Sequence, residues 1–303
     1  MTQPFLLVAR GDRSALAVTL EQAWDQGQTI AIAAPEEAPL LEAVLPEECD
    51  PAWGPAVVLG TGGSRGGRRW CLQPLAHLQV AVAGTDQWLQ SLGFEPSRLE
   101  LFNPLPLHHV SGLMPLLRAR AWGAELRWLS PELMRQPGRL LVEASPRAPD
   151  QALLSLVPTQ LQRLVAAPAG IRWLEQFALI WVGGAALPQS LAQRCRDLGV
   201  RLAPCYGSTE TGAMVTALPP RRFLEGAGGC GLALPHTQLR LDPSSGALQI
   251  KTASLALGVL QEGRLKPLPL DQGWWSSGDR AELGEAGWQL LGRLDGAIQS
   301  GGE

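Results

Sequence analysis

The chain has 303 residues, 46% of them apolar, enough for one large globular unit or two modest domains around a substantial core. Its formal charge of −3, with no run of Lys or Arg, gives phosphate tracking or lipid attraction no basic stripe to work with. No apolar stretch approaches the ~18–20 residues of a membrane span, and the run Phe5–Ala9 meets Arg10, Asp12 and Arg13 too early for a signal peptide. The composition points to a cytoplasmic protein with a small-molecule partner, no nucleic acid and no integral membrane segment, and leaves a homo-oligomer open.

Gly and Pro together make up about 19% of the chain, so turns are frequent. From residue 55 to about 205, short runs of Val, Ile and Leu end at Gly-, Pro- or Ser-containing loops and amphipathic segments follow, the pattern of parallel α/β layers. The strand Ala56–Leu59 precedes a helix His77–Leu92, with Leu78, Val82, Trp88, Leu89 and Leu92 near one face. Strands Leu99–Phe102, Leu126–Leu129 and Leu153–Leu156 come next, then helix Thr159–Val165, strand Leu179–Val182, helix Ser190–Leu198 and strand Val200–Cys205. Their βαβα order is that of doubly wound sheets.

Beyond about residue 218 the runs become short and alternating. Gln238–Leu241 with Leu248–Thr252, and Ala281–Leu283 with Trp288–Leu291, read as two hairpins around turn-forming residues. The expected fold class is α/β, with an α/β body over residues 1–217 and a smaller β-rich subdomain over 218–292. The cysteines (Cys49, Cys71, Cys195, Cys205, Cys230) contain no C-x-x-C and read as reduced structural thiols; the only lysines are Lys251 and Lys266.

Ligands of open α/β sheets bind beyond the carboxyl ends of strands, which singles out four loops. Residues 60–69 offer an anion the backbone N–H groups of Gly62 and Gly63, the hydroxyls of Thr61 and Ser64, and the charge of Arg65, Arg68 and Arg69. The loop lacks both the Walker A ending and the dinucleotide spacing. Residues 104–112 hold His108 and His109 without a carboxylate or thiol cluster, which suits a polar pocket wall, or a histidine satisfied by backbone, better than a metal site. Residues 183–188 form a third loop. In the fourth, Tyr206, the only tyrosine, precedes Ser208, Thr209 and Glu210, groups able to stack a base, bind phosphate oxygens and hold Mg²⁺ through one carboxylate. A helix N-cap at Ser208 or Thr209 would have the same composition.

In this order the segments resemble the motifs of the adenylate-forming superfamily of acyl-CoA and aryl-CoA ligases. Tyr206-Gly-Ser-Thr-Glu-Thr-Gly is similar to Y-G-x-T-E, Thr61-Gly-Gly-Ser-Arg-Gly-Gly-Arg-Arg to the phosphate loop T-S-G-[ST]-T-G-x-P-K, and Gly183-Gly-Ala-Ala-Leu to G-G-A-x-L. Trp275-Ser-Ser-Gly-Asp279 resembles W-x-x-T-G-D, and residues 292–303 resemble the hinge G-R-x-D-x-x-I-x-S-G-G-E. Residues 105–113 and 155–164 are most similar to the branch that activates 2-succinylbenzoate in menaquinone and phylloquinone biosynthesis. There are departures: Arg68-Arg69 stand where Pro-Lys is common, Arg65 replaces a Thr, and only about 60 residues precede the phosphate loop. The chain stops just past the hinge segment 293–303, so the smaller C-terminal domain with its adenylation lysine is expected to be absent; neither Lys251 nor Lys266 stands where that lysine belongs.

The resemblance implies an AMP-forming acid–thiol ligase using ATP, Mg²⁺ and coenzyme A, with the 303-residue stretch alone weakly active or inactive. It puts Thr61, Gly62, Gly63, Ser64 and Arg69 on the β/γ-phosphates, Thr209 on the α-phosphate or carboxyl oxygen, and Glu210 on Mg²⁺. Tyr206 and Gly207 fall on the adenine face, with Gly183, Gly184 and Ala185 along its edge. Asp279 falls on the ribose hydroxyls and Arg293 on ribose or phosphate, with Asp295 as hinge pivot. His109 lines the passage between acyl and nucleotide sites, and Ser155, Thr159, Arg163 and Ser208 are the expected acid-binding groups. His109, Thr209 and Glu210 are the catalytic candidates. A nucleotide-binding module without turnover and a different acyl- or aryl-CoA ligase are the competing readings.

Overall fold

The computed structural model describes residues 4–62 and 68–296. The chain opens with β1 (Phe5–Val8), α1 (Arg13–Asp25), β2 (Thr29–Ala33), α2 (Ala38–Glu42), β3 (Ala56–Thr61) and β4 (Arg69–Pro74). Asp12 starts α1 as an N-cap, its carboxylate accepting from the Ser14 N–H. β1, β2 and β3 are parallel, and β4 runs back antiparallel along β3.

Next come α3 (Leu75–Ser91), β5 (Glu100–Asn103), α4 (Val110–Trp122), β6 (Glu125–Trp128), α5 (Pro131–Met134), α6 (Pro137–Glu143) and β7 (Ala152–Leu156). They are followed by α7 (Pro158–Val165), α8 (Pro168–Leu174), β8 (Leu179–Val182), α9 (Gln189–Asp197) and β9 (Leu202–Ser208). The strands form a second sheet in the order β6-β5-β7-β8-β9, all parallel. β10 (Ala213–Ala217) folds back antiparallel on β9, and after α10 (Pro220–Leu224) the short β11 (Leu232–Ala233) pairs with β10.

The remaining strands are β12 (Thr237–Leu241), β13 (Ala247–Thr252), β14 (Gly258–Gln261), β15 (Arg264–Pro267), β16 (Leu270–Asp271), β17 (Trp274–Gly284) and β18 (Gly287–Arg293). β12, β13, β17 and β16 make a third, antiparallel sheet with β18 on β17. β14 and β15 instead extend the first sheet through β4, and with β11 on the second sheet residues 218–292 contribute to all three sheets.

The expected α/β class is observed, with the parallel strands divided over two sheets rather than wound into one. The strand expected at Val200–Cys205 starts at Leu202 and runs to Ser208, so Tyr206 lies inside it. Residues 209–212 join β9 to β10 as a hairpin, which removes the helix N-cap alternative. Both hairpins expected in the β-rich stretch are present.

Strand periodicity sorts side chains into layers. In the first sheet Ile30, Ile32, Val57 and Leu59 face α1, α3 and α4, while Ala31, Ala33 and Val58 face α2. In the second sheet Leu153, Leu179 and Trp181 face the same α3–α4 layer, and Leu154, Ile180 and Val182 face α6 to α9. The layer of α3 and α4 is thus sealed between two sheets. The third sheet closes its own core of Leu248, Ile250, Trp275 and Trp288 over Val215 of β10.

α4 enters this layer under the loop 104–109, where space is tight: a Cβ on Gly112 would lie 2.1 Å from the Pro106 carbonyl oxygen. Asn103 ties the same loop down, donating to the Gly112 carbonyl at 2.7 Å and accepting from the Leu105 N–H at 3.0 Å. Gly112→Ala should therefore lower stability by about 1–3 kcal/mol in thermal or urea denaturation. An unchanged midpoint would show that the loop is not pinned by this approach.

Candidate active site

The hairpin turn Thr209-Glu210-Thr211-Gly212 is the centre of the site. Gly212 has φ +68° and Ala213 φ +120°, a conformation that costs a non-glycine residue about 1–3 kcal/mol and is held only if its surroundings impose it. They do. The Gln73 amide donates to the Thr209 carbonyl at 2.6 Å, the Ala256 N–H to the Glu210 carbonyl at 2.8 Å, and the Ser254 hydroxyl to the Thr211 carbonyl at 2.8 Å. Inside the turn, Thr211 Oγ1 accepts from the Ser208 N–H at 2.9 Å and lies 2.6 Å from the Ala213 carbonyl, to which it donates.

This turn presents Glu210 to the ends of β3 and β4. Its side chain is only 5% exposed and accepts from the Thr61 hydroxyl at 3.2 Å and from Arg69 Nη2 at 3.1 Å. Arg69 itself is half-exposed, so its side chain remains accessible to solvent. Among the described residues no group of three or more His, Cys, Asp or Glu could hold a metal ion. A single carboxylate suits a hard cation that takes its other ligands from phosphate oxygens and water. Thr209 Oγ1 lies beside the Gly60 carbonyl at 3.4 Å. Gly62 is exposed at the end of β3, whereas Gly63 and Ser64 lie outside the described residues, as do hinge residues 297–303.

A second pair joins β9 to the third sheet. The Tyr206 hydroxyl donates to Asp279 Oδ2 at 2.6 Å, and Arg293 Nη1 reaches Asp279 Oδ1 at 3.4 Å. Arg293 also pairs with Asp295 at 2.9 Å. β17–β18 register sets this up, with Asp279 directly opposite Arg293. Burial raises the Asp279 pKa despite its two donors, and burial with the adjacent carboxylate holds the Tyr206 phenol well above its usual value. Gly183, Gly184 and Ala185 follow β8. A Cβ on Gly183 would stand 2.8 Å from Cys205 Sγ, and one on Gly207 would stand 1.9 Å from the Ala213 carbonyl oxygen, so both positions depend on glycine for close approach.

Of the residues expected to bind the acid, His109 is the N-terminal flanking residue of α4, with its ring centroid 4.4 Å from that of His108. Both are pushed down to about 4, His109 by burial, His108 and Arg68, and His108 by burial, Arg68 and Arg13. Both are therefore neutral at pH 7. Ser155 pairs in register with Trp181 and faces the α3–α4 layer. Ser208 Oγ is buried without a hydrogen-bond partner among the described residues. Thr159 is half-buried in the first turn of α7. Arg163 is exposed on α7, whose apolar face packs on the opposite side of the sheet from Ser155, so the two are not brought together.

Sequence reasoning missed Arg118. It lies on α4 at 4% exposure, between the sheets, with its guanidinium 4.8 Å from the Trp181 ring and Nη2 3.4 Å from Thr85 Oγ1. Among the described residues its Nε has no partner and no carboxylate pairs with it. Burial lowers its pKa to about 10, which still leaves it charged at pH 7. The neighbouring Cys205 thiol is pushed up to about 12 by burial, so it is no counter-ion. Cys205 Sγ contacts the Val182 carbonyl and Gly183, which connects Arg118 and Trp181 to the loop after β8. The only sequence signal was an arginine inside an otherwise apolar helix segment.

Comparison with known proteins gives a consistent outcome. The chain is 32% identical over 225 residues to the 2-succinylbenzoate–CoA ligase of Salmonella typhimurium, a match covering 74% of this chain and 45% of that protein. It is 31% identical over 218 residues to the Escherichia coli enzyme of the same name, covering 72% and 41%. The chain thus spans about half the length of the curated relatives it matches. Among solved structures, E. coli MenE with a bound analogue of OSB-AMS superposes with a TM-score of 0.75 at 22% identity, covering 97% of this chain and 68% of that one. A malonyl-CoA ligase product complex gives 0.75 at 23%, covering 95% and 71%. No helix among the described residues is long and apolar enough to cross a membrane. The family described as AMP-binding enzyme matches residues 6–258, and the chain belongs to it.

Proposed function

We propose that the chain provides the nucleotide- and acid-binding part of an AMP-forming ligase that activates 2-succinylbenzoate as its acyl-adenylate and passes the acyl group to coenzyme A, in menaquinone or phylloquinone biosynthesis. The observation that carries the acid assignment is Arg118, a buried charge with no carboxylate partner among the described residues. Taking a guanidinium out of water costs several kcal/mol, and a cation–π contact of about 1–2 kcal/mol offsets only part of that. A substrate with a second carboxylate supplies the missing partner. The names of the curated relatives support the same acid. Fold likeness alone does not choose among acids, because malonyl-CoA ligase fits equally well.

In the first step a carboxylate oxygen attacks the α-phosphate of ATP and pyrophosphate leaves. In the second, the coenzyme A thiol attacks the acyl carbonyl and AMP leaves. Both steps gather negative charge, so donors and cations placed beforehand lower the barrier. Arg69 and Thr61, with Gly62, Gly63 and Ser64, would take the β/γ-phosphates, and Thr209 the α-phosphate or carboxyl oxygen. Glu210 would hold Mg²⁺, which supplies charge neutralisation on phosphate oxygens. Tyr206 and Gly207 would lie on the adenine face with Gly183, Gly184 and Ala185 at its edge, and Asp279 with Arg293 on the ribose. Neutral His109 would line the passage to an acid pocket walled by Ser155, Ser208 and Trp181, with Thr159 at its mouth.

The reading is tested by pyrophosphate exchange with 2-succinylbenzoate, benzoate and malonate. Exchange that depends on 2-succinylbenzoate is expected; equal rates with benzoate or malonate would favour another ligase, and ATP binding without any exchange a non-catalytic module. Asp279→Ala should weaken ATP binding by about 1–3 kcal/mol in calorimetry, the scale of hydrogen bonds to a charged group. Arg118→Met should leave the melting temperature of the free protein unchanged or higher, yet abolish the preference for 2-succinylbenzoate over benzoate. A drop in melting temperature with preference intact would make Arg118 structural. Because folding lowers the His108 and His109 values from 6.5 to about 4, the unfolded chain binds more protons between those limits. Their contribution is present above about pH 6.5 and lost on acidification towards 4, so the melting temperature of a His108→Asn/His109→Asn variant should fall less steeply over that range than the wild type's.

A further inference from the structure

The reaction described above gives no part to His236, whose surroundings demand one. His236 stands in the link between β11 and β12, with its ring pressed onto α3. A Cβ on Gly84 would lie 2.0 Å from its Nδ1 and 2.6 Å from its Cγ, so only glycine at position 84 lets the ring seat there. The next residue on α3, Thr85, is completely buried and is the group that meets Arg118 Nη2. The imidazole and the guanidinium therefore lie against consecutive residues of one helix turn.

Both ring nitrogens of His236 are shut off from solvent and neither has a hydrogen-bond partner among the described residues. The same holds for Arg118 Nε and Trp181 Nε1. Thr85 cannot satisfy them with its proton, which it donates to the Ala81 carbonyl at 2.8 Å. A buried polar atom left unpaired costs about 1–3 kcal/mol, and proteins rarely keep several close together unless something else completes them. Although His236 borders an outer cleft shared with His77, Thr237 and Lys251, its nitrogens are screened from that side. The ring is also kept neutral by burial and by Arg118, so it carries one N–H to donate without adding charge beside the arginine.

We propose that His236 is a specificity-determining residue of the acid pocket, donating a hydrogen bond to the substrate carboxylate that is not activated while Arg118 supplies its charge. This rests on the dicarboxylate reading given above. A carboxylate has room for both, since each oxygen accepts more than one donor. Gly84 is then part of the same device, as the gap that lets the ring reach its place.

The test is calorimetric binding of three acids to the full chain with a non-hydrolysable ATP analogue present: 2-succinylbenzoate, 4-oxo-4-phenylbutanoate, which lacks the ring carboxylate, and 2-butanoylbenzoate, which lacks the chain carboxylate. In His236→Phe, which keeps the ring shape without the nitrogens, 2-succinylbenzoate should bind about tenfold or more weakly. The analogue lacking the non-activated carboxylate should change by about twofold at most, and nucleotide affinity should not change. His236→Asn, which restores a donor, should recover most of the loss. Gly84→Ala, which displaces the ring and keeps its chemistry, should reproduce the selective loss and covers the case in which His236→Phe does not fold. Wild-type affinity for 2-succinylbenzoate in these variants, or an equal loss for all three acids, overturns the role of His236 alone. Equal binding of all three acids by the wild type overturns the dicarboxylate reading and His236 with it.

Discussion

The structure is organised around one strained turn. Ala213 at φ +120° and the tight run from Thr209 to Gly212 would relax if left alone, and they are held by Gln73 from β4, Ala256 from the approach to β14, and Ser254 after β13. Those anchors come from two stretches far apart in the chain, Gln73 in β4 and the link between β13 and β14. Consequently the first sheet, the second sheet and the β13–β14 segment must all be in place before Thr209 and Glu210 are. Because β14 pairs with β4 and its lead-in carries Ala256, the antiparallel extension of the first sheet is also what pins the turn.

That dependence explains what could be read from the sequence. Thr61, Tyr206 and Glu210 were legible because each stands in a short stretch whose chemistry is local, with glycines, hydroxyls or a carboxylate after an apolar run, whereas Asp279 was legible only through the family resemblance. Their convergence was not, since Thr61 and Glu210 are separated by 149 positions and meet only through sheet packing. The parallel strands from Ala152 to Val182 were readable because burial on both faces makes them continuous apolar runs. β14 and β15 were missed for the opposite reason: Gly258–Gln261 is short, and its partner lies in β4.

Arg163 and Arg118 show the same limit among the residues considered for acid binding. Arg163 drew attention because it follows Ser155 and Thr159 closely in sequence, yet helix periodicity turns it to solvent while Leu161 and Leu164 turn inward. Arg118 sits among Leu116, Leu117 and Ala119 on a helix whose sequence marks no single face, because α4 is covered on nearly all sides by two sheets and α3. Only the layering reveals that a charge has been carried inside. His236 was invisible for a related reason, since its significance depends on a glycine 152 positions earlier.

The electrostatic pattern follows from this layering. Three of the four histidines, His108, His109 and His236, are driven to about 4 by burial, with neighbouring arginines acting in the same direction, so their surroundings cannot acquire a second positive charge cheaply near neutral pH. Arg118 is the exception because a guanidinium resists deprotonation even when fully desolvated. A lysine in its place could shed its proton to escape the cost, and a histidine already would have. Fixing a charge in a sealed layer therefore requires arginine, and in the proposed function that charge, with neutral donors beside it, meets a substrate anion that the described residues do not provide.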